Sequence, residues 1–284
     1  MTIIRTVSAI HSSVDRLRLE GKRIAVVPTM GALHEGHLTL IRTAKSAAEV
    51  VIVTVFVNPA QFGKGEDFDR YPRSWDRDEE LASKAGADIL FAPDTLTMYP
   101  EGYHTFVTVE AVSDVLEGKD RPGHFRGVAT VIVKLFNCTK PHIAVFGQKD
   151  AQQVAVLRRM ARDLDYDLSI MVVPTVREPD GLALSSRNVY LTVQERTEAP
   201  VLYKSLCRAG ELVISGSRDS GAIRQAMEVM IRTNSSAEIN YISIADAETL
   251  AEQPSLQTGE QILVSLAARF GRTRLIDNTV ITVP

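Results

Sequence analysis

Short apolar runs alternate with longer amphipathic stretches over the first 175 residues. The clearest run is residues 50–57, VVIVTVFV, and such a continuous β-branched run is typical of a strand that is buried on both faces. Before Gly21, the residues Ile10, Val14 and Leu17 recur at helical spacing. The predicted strands are residues 24–27, 50–57, 87–92, 143–146 and 168–173, and the predicted helices are residues 8–20, 38–48, 75–85, 128–137 and 150–163.

Strands that are separated by helices predict right-handed crossover connections and a mostly parallel sheet. We therefore expect residues 1–175 to form a doubly wound, Rossmann-like α/β domain. In such a domain, ligands bind beyond the carboxyl ends of the strands.

The pattern changes after Thr175. A polar, turn-rich stretch at 177–188 precedes helical runs at 192–214 and 219–234, and strand-like runs follow at 239–244, 261–267 and 273–276. Helices followed by strands predict a smaller C-terminal α+β domain over residues 176–284. The turn-rich stretch is expected to act as a hinge or lid.

Composition and charge narrow the class of protein. The 284 residues are enough for two domains, and 45% hydrophobic and 24% charged residues are ordinary for a globular protein. A formal net charge of −3 argues against a nucleic-acid partner and makes any phosphate site a local feature. Cys138 and Cys207 lack CxxC spacing, which favours a reducing compartment. Because no signal peptide or membrane-length apolar run is recognised, we expect no membrane partner and a cytoplasmic location.

The segment 28–37, PTMGALHEGH, follows a predicted strand and opens a predicted helix. Gly31 and Gly36 permit close approach of the backbone to a ligand, and the N–H groups at the start of a helix favour anions. His34 and His37 are three residues apart, so they share one face of the first turn. We interpret the pair as hydrogen-bond donors that stabilise a departing pyrophosphate.

Two other interpretations of the histidine pair are open. One is that the histidines only cap the helix and contact no ligand. The other is a metal site, which is disfavoured because a zincin needs HExxH, with its histidines four residues apart. We therefore expect no metal site built from protein ligands.

Two further segments place polar side chains at the carboxyl ends of strands. Proline at 59 ends the run 50–57, and Gln61 follows with an amide that suits a small polar acid. In residues 146–153, FGQKDAQQ, a strand ends in glycine and a helix begins. There Lys149 suits phosphate oxygens, Asp150 can cap the helix or contact ribose or magnesium, and Gln153 can face the acid.

The stretch 177–188, REPDGLALSSRN, brings Ser185, Ser186 and Arg187 together, and two hydroxyls with a guanidinium are good phosphate donors. A solvated linker between domains is the alternative interpretation. The stretch 116–127 is rich in charge, glycine and proline, and we interpret it as a long loop with no assigned catalytic role.

In this order and spacing, the segments PTMGALHEGH, FVNPAQF, FGQKDAQQ and REPDGLALSSRN resemble the pantothenate synthetase family of the class I nucleotidyltransferase superfamily, whose signature is HxGH, the HIGH motif. The resemblance runs from Pro28 to about Leu191. Gln148 departs from the family pattern, since an acidic residue is usual there, so a carboxylate is not expected to be essential at that position. Leu184 stands where methionine is common.

The resemblance implies an ATP-dependent ligase that joins (R)-pantoate to β-alanine through a pantoyl-adenylate, with release of AMP and pyrophosphate. It also implies Mg²⁺ on the ATP phosphates and a homodimer. By resemblance, the catalytic residues are His34, His37, Lys149 and Arg187, and Gln61 and Gln153 bind pantoate and β-alanine. The implied ATP-binding residues are Met30, Gly31, His34, Gly36, His37, Gly147, Lys149, Asp150, Val176, Leu184, Ser185, Ser186 and Arg187.

Two other functions are compatible with an HxGH segment. A nucleotidyltransferase would leave the nucleotide on a phosphorylated acceptor, but the sequence has no extra basic cluster beside Gln61. A nucleotide-binding module would bind ATP and release no pyrophosphate, and the three separate polar segments disfavour it.

Overall fold

The computed structural model describes residues 1–63, 65, 66 and 68–284. The chain divides into two compact units, Met1–Gly147 with Val156–Pro174 and Gln148–Ala155 with Thr175–Pro284. The proposed functional domains, 1–175 and 176–284, stay a prediction. Within the described part of the chain, no helix is both long and apolar enough to cross a lipid bilayer.

The first unit is built on six parallel strands in the order β1-β4-β3-β2-β5-β6. Their bounds are Thr2–Ile4 (β1), Ile24–Thr29 (β2), Val50–Val55 (β3), Ile89–Phe91 (β4), Ile143–Gly147 (β5) and Ser169–Val173 (β6). The chain runs from β2 outward on one side and places β5 on the other side of β2, so the winding reverses between these two strands. A ligand crevice is expected at such a reversal.

Helices connect these strands and cover the sheet. Their bounds are Val7–Leu19 (α1), Glu35–Ala47 (α2), Trp75–Ala85 (α3), Thr95–Met98 (α4), Glu117–Asp120 (α5), His124–Thr139 (α6) and Ala151–Asp163 (α7). Residues 24–27 of β2 and 51–53 of β3 are fully buried, and Val27 and Val53 pack in one core with Ile41 of α2 and Ala82 of α3. This burial explains the uninterrupted β-branched runs, because neither face of the sheet meets water.

The second unit has an antiparallel sheet in the order β7-β8-β9 and three helices after residue 190. The bounds are Val193–Glu198 (α8), Val201–Ile214 (α9), Ser220–Asn234 (α10), Glu238–Asp246 (β7), Gln261–Phe270 (β8) and Thr273–Thr282 (β9). Ile223, Met227 and Ile231 line one face of α10 and pack in the core of this unit. The predicted fold class, a doubly wound α/β sheet with a smaller α+β region, is confirmed.

Three local predictions were wrong. The single helix predicted at 192–214 is two helices, α8 and α9, because Pro200 has no N–H to donate to the carbonyl of Arg196. The loop predicted at 116–127 contains α5 and the first turn of α6. Helix α6 begins after Gly123, and Gly123 has a left-handed backbone conformation with φ of 82°. The edge strand β1 was missed, since three residues are too few to show a period.

Helix α6 approaches the segment of Gln61 very closely. A Cβ atom on Gly127 would lie 2.1 Å from the carbonyl oxygen of Ala60, which belongs to the 3₁₀ turn Pro59–Gln61. By contrast, a Cβ atom on Gly210 of α9 would meet only Ile281, at 3.9 Å. The close packing therefore requires glycine at position 127, whereas position 210 has room for a larger side chain.

We expect Gly127→Ala to lower the free energy of unfolding by about 1–3 kcal/mol, since the added methyl overpacks against backbone. The matched variant Gly210→Ala should raise it by roughly 0.5–1 kcal/mol through helix propensity alone. Urea unfolding followed by circular dichroism measures both. Equal effects of the same sign would contradict the close approach of α6 to this turn.

Candidate active site

The two histidines cap helix α2. His34 is the N-cap residue, and its Nδ1 accepts a hydrogen bond from the N–H of Gly36 at 3.2 Å. The Nδ1 of His37 accepts from the N–H of His34 at 3.3 Å, which completes a reciprocal capping box. The ring centroids are 4.1 Å apart, so the predicted proximity of the pair is confirmed. Capping is therefore one role of both histidines.

The caps determine where the ring protons lie. A backbone N–H can only donate, so each Nδ1 must carry its lone pair and each neutral ring is protonated at Nε2. Both side chains are thereby N–H donors at Nε2. Gly36 allows this arrangement, since a Cβ atom there would lie 2.9 Å from Cε1 of the His34 ring.

The turn before His34 is held by side chains. Gly31 donates its N–H to Thr29 Oγ1 at 3.2 Å, and the N–H groups of Ala32 and Leu33 donate to the carboxylate of Asp78 at 2.9 and 2.7 Å. We expected open N–H groups for an anion at the start of this helix. That expectation is wrong for Gly36, whose N–H is taken by His34.

Gln61 is held in one amide orientation by Asn58, which is 1% exposed. Asn58 Nδ2 donates to the carbonyl of Gly127 at 3.1 Å, and its Oδ1 accepts from the N–H of Ala60 at 3.3 Å. Both partners are backbone groups with only one possible role, so the two ends of the Asn58 amide are assigned without ambiguity. The Asn58 Nδ2 also donates to Gln61 Oε1 at 3.0 Å.

As a result, Gln61 presents its Nε2 donor group beside Met30, whose sulfur lies 3.2 Å away. A predicted ATP-binding residue and a predicted acid-binding residue are thus neighbours in the first unit. The phenol of Tyr99 supports the arrangement by donating to Asn58 Oδ1 at 2.8 Å. Burial raises the pKa of Tyr99 far above its ordinary value, and the nearby Tyr103 adds to the shift, so the phenol keeps its proton.

The backbone carbonyl of Gln61 is hydrogen-bonded by a residue of the stretch 116–127, to which the sequence analysis assigned no role. Arg121 donates to Glu66 at 2.9 and 2.6 Å and lies 3.0 Å from His124 Nε2, and His124 Nδ1 lies 2.8 Å from the Gln61 carbonyl. Arginine only donates and a carbonyl only accepts, so the His124 proton is on Nδ1. Burial alone would raise the pKa of Glu66, but the hydrogen bond and charge of Arg121 outweigh it and hold that pKa below its usual value.

In the second unit, Asn278 of β9 holds the 3₁₀ turn Gln148–Asp150. Its Nδ2 donates to the carbonyls of Gln148 and Lys149 at 3.0 and 2.8 Å, and its Oδ1 accepts from Gln148 Nε2 at 3.0 Å. This bond explains the amide at position 148, because a carboxylate there would face the Asn278 oxygen. The Lys149 ammonium lies 3.8 Å from the half-exposed carboxylate of Asp150.

The stretch 176–190 is ordered within the second unit. Arg177 binds Asp277 through two hydrogen bonds of 2.6 and 2.9 Å, and Leu184 donates its N–H to the carbonyl of Val176 at 3.0 Å. Ser185 Oγ caps the following 3₁₀ turn, Ser186–Tyr190, by accepting from the N–H of Arg187 at 3.2 Å. Two of the predicted ATP-binding residues, Val176 and Leu184, are therefore hydrogen-bonded neighbours.

The predicted site residues fall into two sets. The first unit contains Met30, Gly31, His34, Gly36, His37, Gln61 and Gly147, and the second contains Lys149, Asp150, Gln153, Val176, Leu184, Ser185, Ser186 and Arg187. Gln153 lies half-buried in the first turn of α7. In the part of the chain that the structure describes, no group of three or more His, Cys, Asp or Glu residues could hold a metal ion.

Sequence reasoning missed the residues that hold the site residues in place. Asp78 is one of several acidic residues in a predicted helix, Asn58 directly follows the predicted strand 50–57, and Asn278 lies in a tail without a recognised string. A usable signal existed for Asn58 alone, because it stands inside the FVNPAQF segment.

Comparison with known proteins places the chain among ligases. The family model described as pantoate–β-alanine ligase matches residues 2–280. Pantothenate synthetase from Acetivibrio thermocellus is 48% identical over 283 residues, with 100% of each chain covered. Pantothenate synthetase from Heliobacterium modesticaldum is 54% identical over 264 residues, with 93% of each covered.

Similar solved structures carry the same enzyme names as these relatives. Pantothenate synthetase from Thermus thermophilus is similar with a TM-score of 0.91 and 45% identity, over 98% of this chain and 99% of that one. Pantoate–β-alanine ligase from Francisella tularensis, complexed with β-γ ATP and β-alanine, has a TM-score of 0.78 and 34% identity, over 99% and 97% of the two chains.

We expect Asn278→Ala to lower the free energy of unfolding by about 1–3 kcal/mol, because it leaves two part-buried carbonyls of the 3₁₀ turn Gln148–Asp150 without their donor. The exposed Asn240 of β7 offers a matched control, and Asn240→Ala should change stability by less than about 0.5 kcal/mol. Urea unfolding measures both variants. An Asn278→Ala protein as stable as the control would show that the turn does not depend on this side chain.

Proposed function

Because the chain belongs to the pantoate–β-alanine ligase family, we propose that the two sets of polar residues described above carry out the reaction of that family. The protein is an ATP-dependent ligase that condenses (R)-pantoate with β-alanine through a pantoyl-adenylate and releases AMP and pyrophosphate. The competing function, transfer of a nucleotide to a phosphorylated acceptor, is not favoured, since these relatives are ligases.

The observation that carries the residue assignment is that Nδ1 of both His34 and His37 accepts a backbone N–H, from which we infer an Nε2–H donor on each ring. In the first step, a carboxylate oxygen of pantoate attacks the α-phosphorus of ATP, and the bond to the pyrophosphate oxygen breaks. Negative charge grows on the pyrophosphate as it leaves. Two neutral donors that are already oriented by the helix cap stabilise that charge without reorganisation, and Lys149 and Arg187 add positive charge.

The remaining predicted residues bind the substrates. We assign ATP to Met30, Gly31, Gly36, Gly147, Asp150, Val176, Leu184, Ser185 and Ser186, together with the four catalytic residues. Gln61 faces pantoate as a donor, because its oxygen is already engaged by Asn58. Gln153 is assigned to the same acid.

In the second step, the neutral amine of β-alanine attacks the carbonyl carbon of the mixed anhydride. AMP leaves with the electron pair of the broken carbon–oxygen bond, and the new amide nitrogen loses a proton to solvent. No enzyme nucleophile is required in either step.

Mg²⁺ is proposed to enter with ATP as the counter-ion of its phosphates. The oxygens of a polyphosphate suit this hard cation, which keeps several waters and needs few protein ligands. The half-exposed carboxylate of Asp150 offers one further oxygen. The ion would neutralise part of the charge on the phosphates.

We also propose a homodimer in the cytoplasm. The dimer is supported by family resemblance. Light scattering tests it, and a monomer mass at working concentration would refute it.

A cytoplasmic, reducing compartment is supported by two free cysteines, of which Cys207 is exposed.

The reaction is tested directly by mixing the protein with ATP, pantoate and β-alanine and following AMP and pantothenate. We expect one AMP per pantothenate and no sustained AMP release when pantoate is left out. AMP formation that ignores pantoate, or a product that retains the nucleotide, would refute the assignment.

The capping and donor roles of His34 can be separated. Asparagine is a strong N-cap residue, so His34→Asn should keep the free energy of unfolding within about 0.5 kcal/mol of wild type while kcat falls by about 10² for want of the ring donor. His34→Ala should lose roughly 1 kcal/mol of stability as well. The exposed His104 supplies a control, since His104→Ala should change neither quantity. Wild-type turnover by His34→Asn would limit His34 to capping.

A further inference from the structure

We propose that Asp78 is a positioning residue for the adenylylation step, because its carboxylate holds the turn that sets the two histidines. The inference rests on the proposed function and names a residue outside the segments that carry the family resemblance. Asp78 lies in α3, 46 residues from the turn it binds, and is 2% exposed.

Both oxygens of Asp78 are engaged by the turn. Oδ2 accepts from the N–H of Ala32 at 2.9 Å, and Oδ1 accepts from the N–H of Leu33 at 2.7 Å. A third donor, the hydroxyl of Ser74, donates to Oδ1 at 3.2 Å. Leu33 is followed directly by His34, so the position of this peptide determines where the helix cap begins.

The turn needs an anion to keep its shape. Gly31 and Ala32 both have left-handed backbone conformations, with φ of 81° and 50°. Consecutive N–H groups around such residues converge and form a concavity that binds negative charge. Here the concavity is filled by a carboxylate of the protein itself, so the phosphates of ATP are left to the histidine Nε2–H donors and the cationic side chains.

The packing leaves little room for the turn to shift. A Cβ atom on Gly31 would lie 2.9 Å from Asp78 Oδ2 and 3.2 Å from Val55, so the backbone rests directly on the carboxylate. An amide in place of the carboxylate would bring an NH₂ group against one of the two backbone N–H groups. The turn would then move, and the histidine rings would move with it.

The experiment uses the full chain and pantoate-dependent exchange of labelled pyrophosphate into ATP, which reports adenylylation without β-alanine. We expect Asp78→Asn to lower the exchange kcat by about 10- to 100-fold, the cost of a displacement of about 1 Å at reacting groups. The KM for pantoate should stay within about two-fold, because Gln61 is held by Asn58 rather than by this turn. Asp76→Asn removes an exposed carboxylate from the same helical turn and should leave exchange within about two-fold of wild type.

A double-mutant cycle distinguishes positioning from general stability. If Asp78 acts through the histidines, Asp78→Asn should cost less than about three-fold when His37→Ala is already present. Full multiplicative losses, or wild-type exchange by Asp78→Asn, would overturn the proposal. Should Asp78→Asn fail to fold, Ser74→Ala loosens the same carboxylate, and its smaller loss should likewise vanish beside His37→Ala. Absence of pantoate-dependent exchange in the wild-type protein would instead refute the proposed function.

Discussion

Buried backbone N–H groups must find acceptors, and the turn after β2 meets this requirement almost entirely with side chains. Thr29, Asp78, His34 and His37 each accept from one or two N–H groups between residues 31 and 36. Leaving such a donor unpaired costs about 1–3 kcal/mol, so the turn and its acceptors have little freedom to change separately. The chemistry of the histidines follows from this constraint, since the lone pairs that satisfy the backbone also decide which ring nitrogen carries the proton.

The same requirement determines the orientation of the Gln61 side-chain amide, which we propose binds the acid substrate. Backbone groups at Ala60 and Gly127 can play only one role each, so they assign the two ends of the Asn58 amide, and Asn58 then assigns Gln61. The backbone groups therefore determine which end of the Asn58 amide donates, and Asn58 in turn determines which end of the Gln61 amide accepts. The bond from Asn58 engages the Gln61 oxygen and places the Gln61 NH₂ group beside Met30, where it is available to donate in the proposed role.

Local sequence was sufficient for every described strand except β1 and for most helices. The residues assigned to the substrates came from the segments that resemble a known family, and their roles stay a proposal. Buried parallel strands leave long β-branched runs, and HxGH spacing places two rings together whatever surrounds them. Sequence was insufficient where the partner lies far along the chain. Nothing near Asp78 distinguishes it from Asp76, because the difference is a contact with a turn 46 residues away. The missed break at Pro200 was different in kind, since a proline inside a helical run is a local signal that was overlooked.

The hydrogen bonds of Asn278 to the 3₁₀ turn Gln148–Asp150 have a consequence for how the chain folds during synthesis. Asn278 lies 130 positions after Gln148, and both residues belong to the same compact unit. A ribosome adds about 5–20 residues per second, so the turn waits roughly 7–26 s for β9 to be synthesised. Until then its two carbonyls must be solvated by water. A nascent chain can therefore form the parallel sheet and the histidine cap early, while the turn that contains Lys149 acquires its final hydrogen bonds only when translation has passed Asn278.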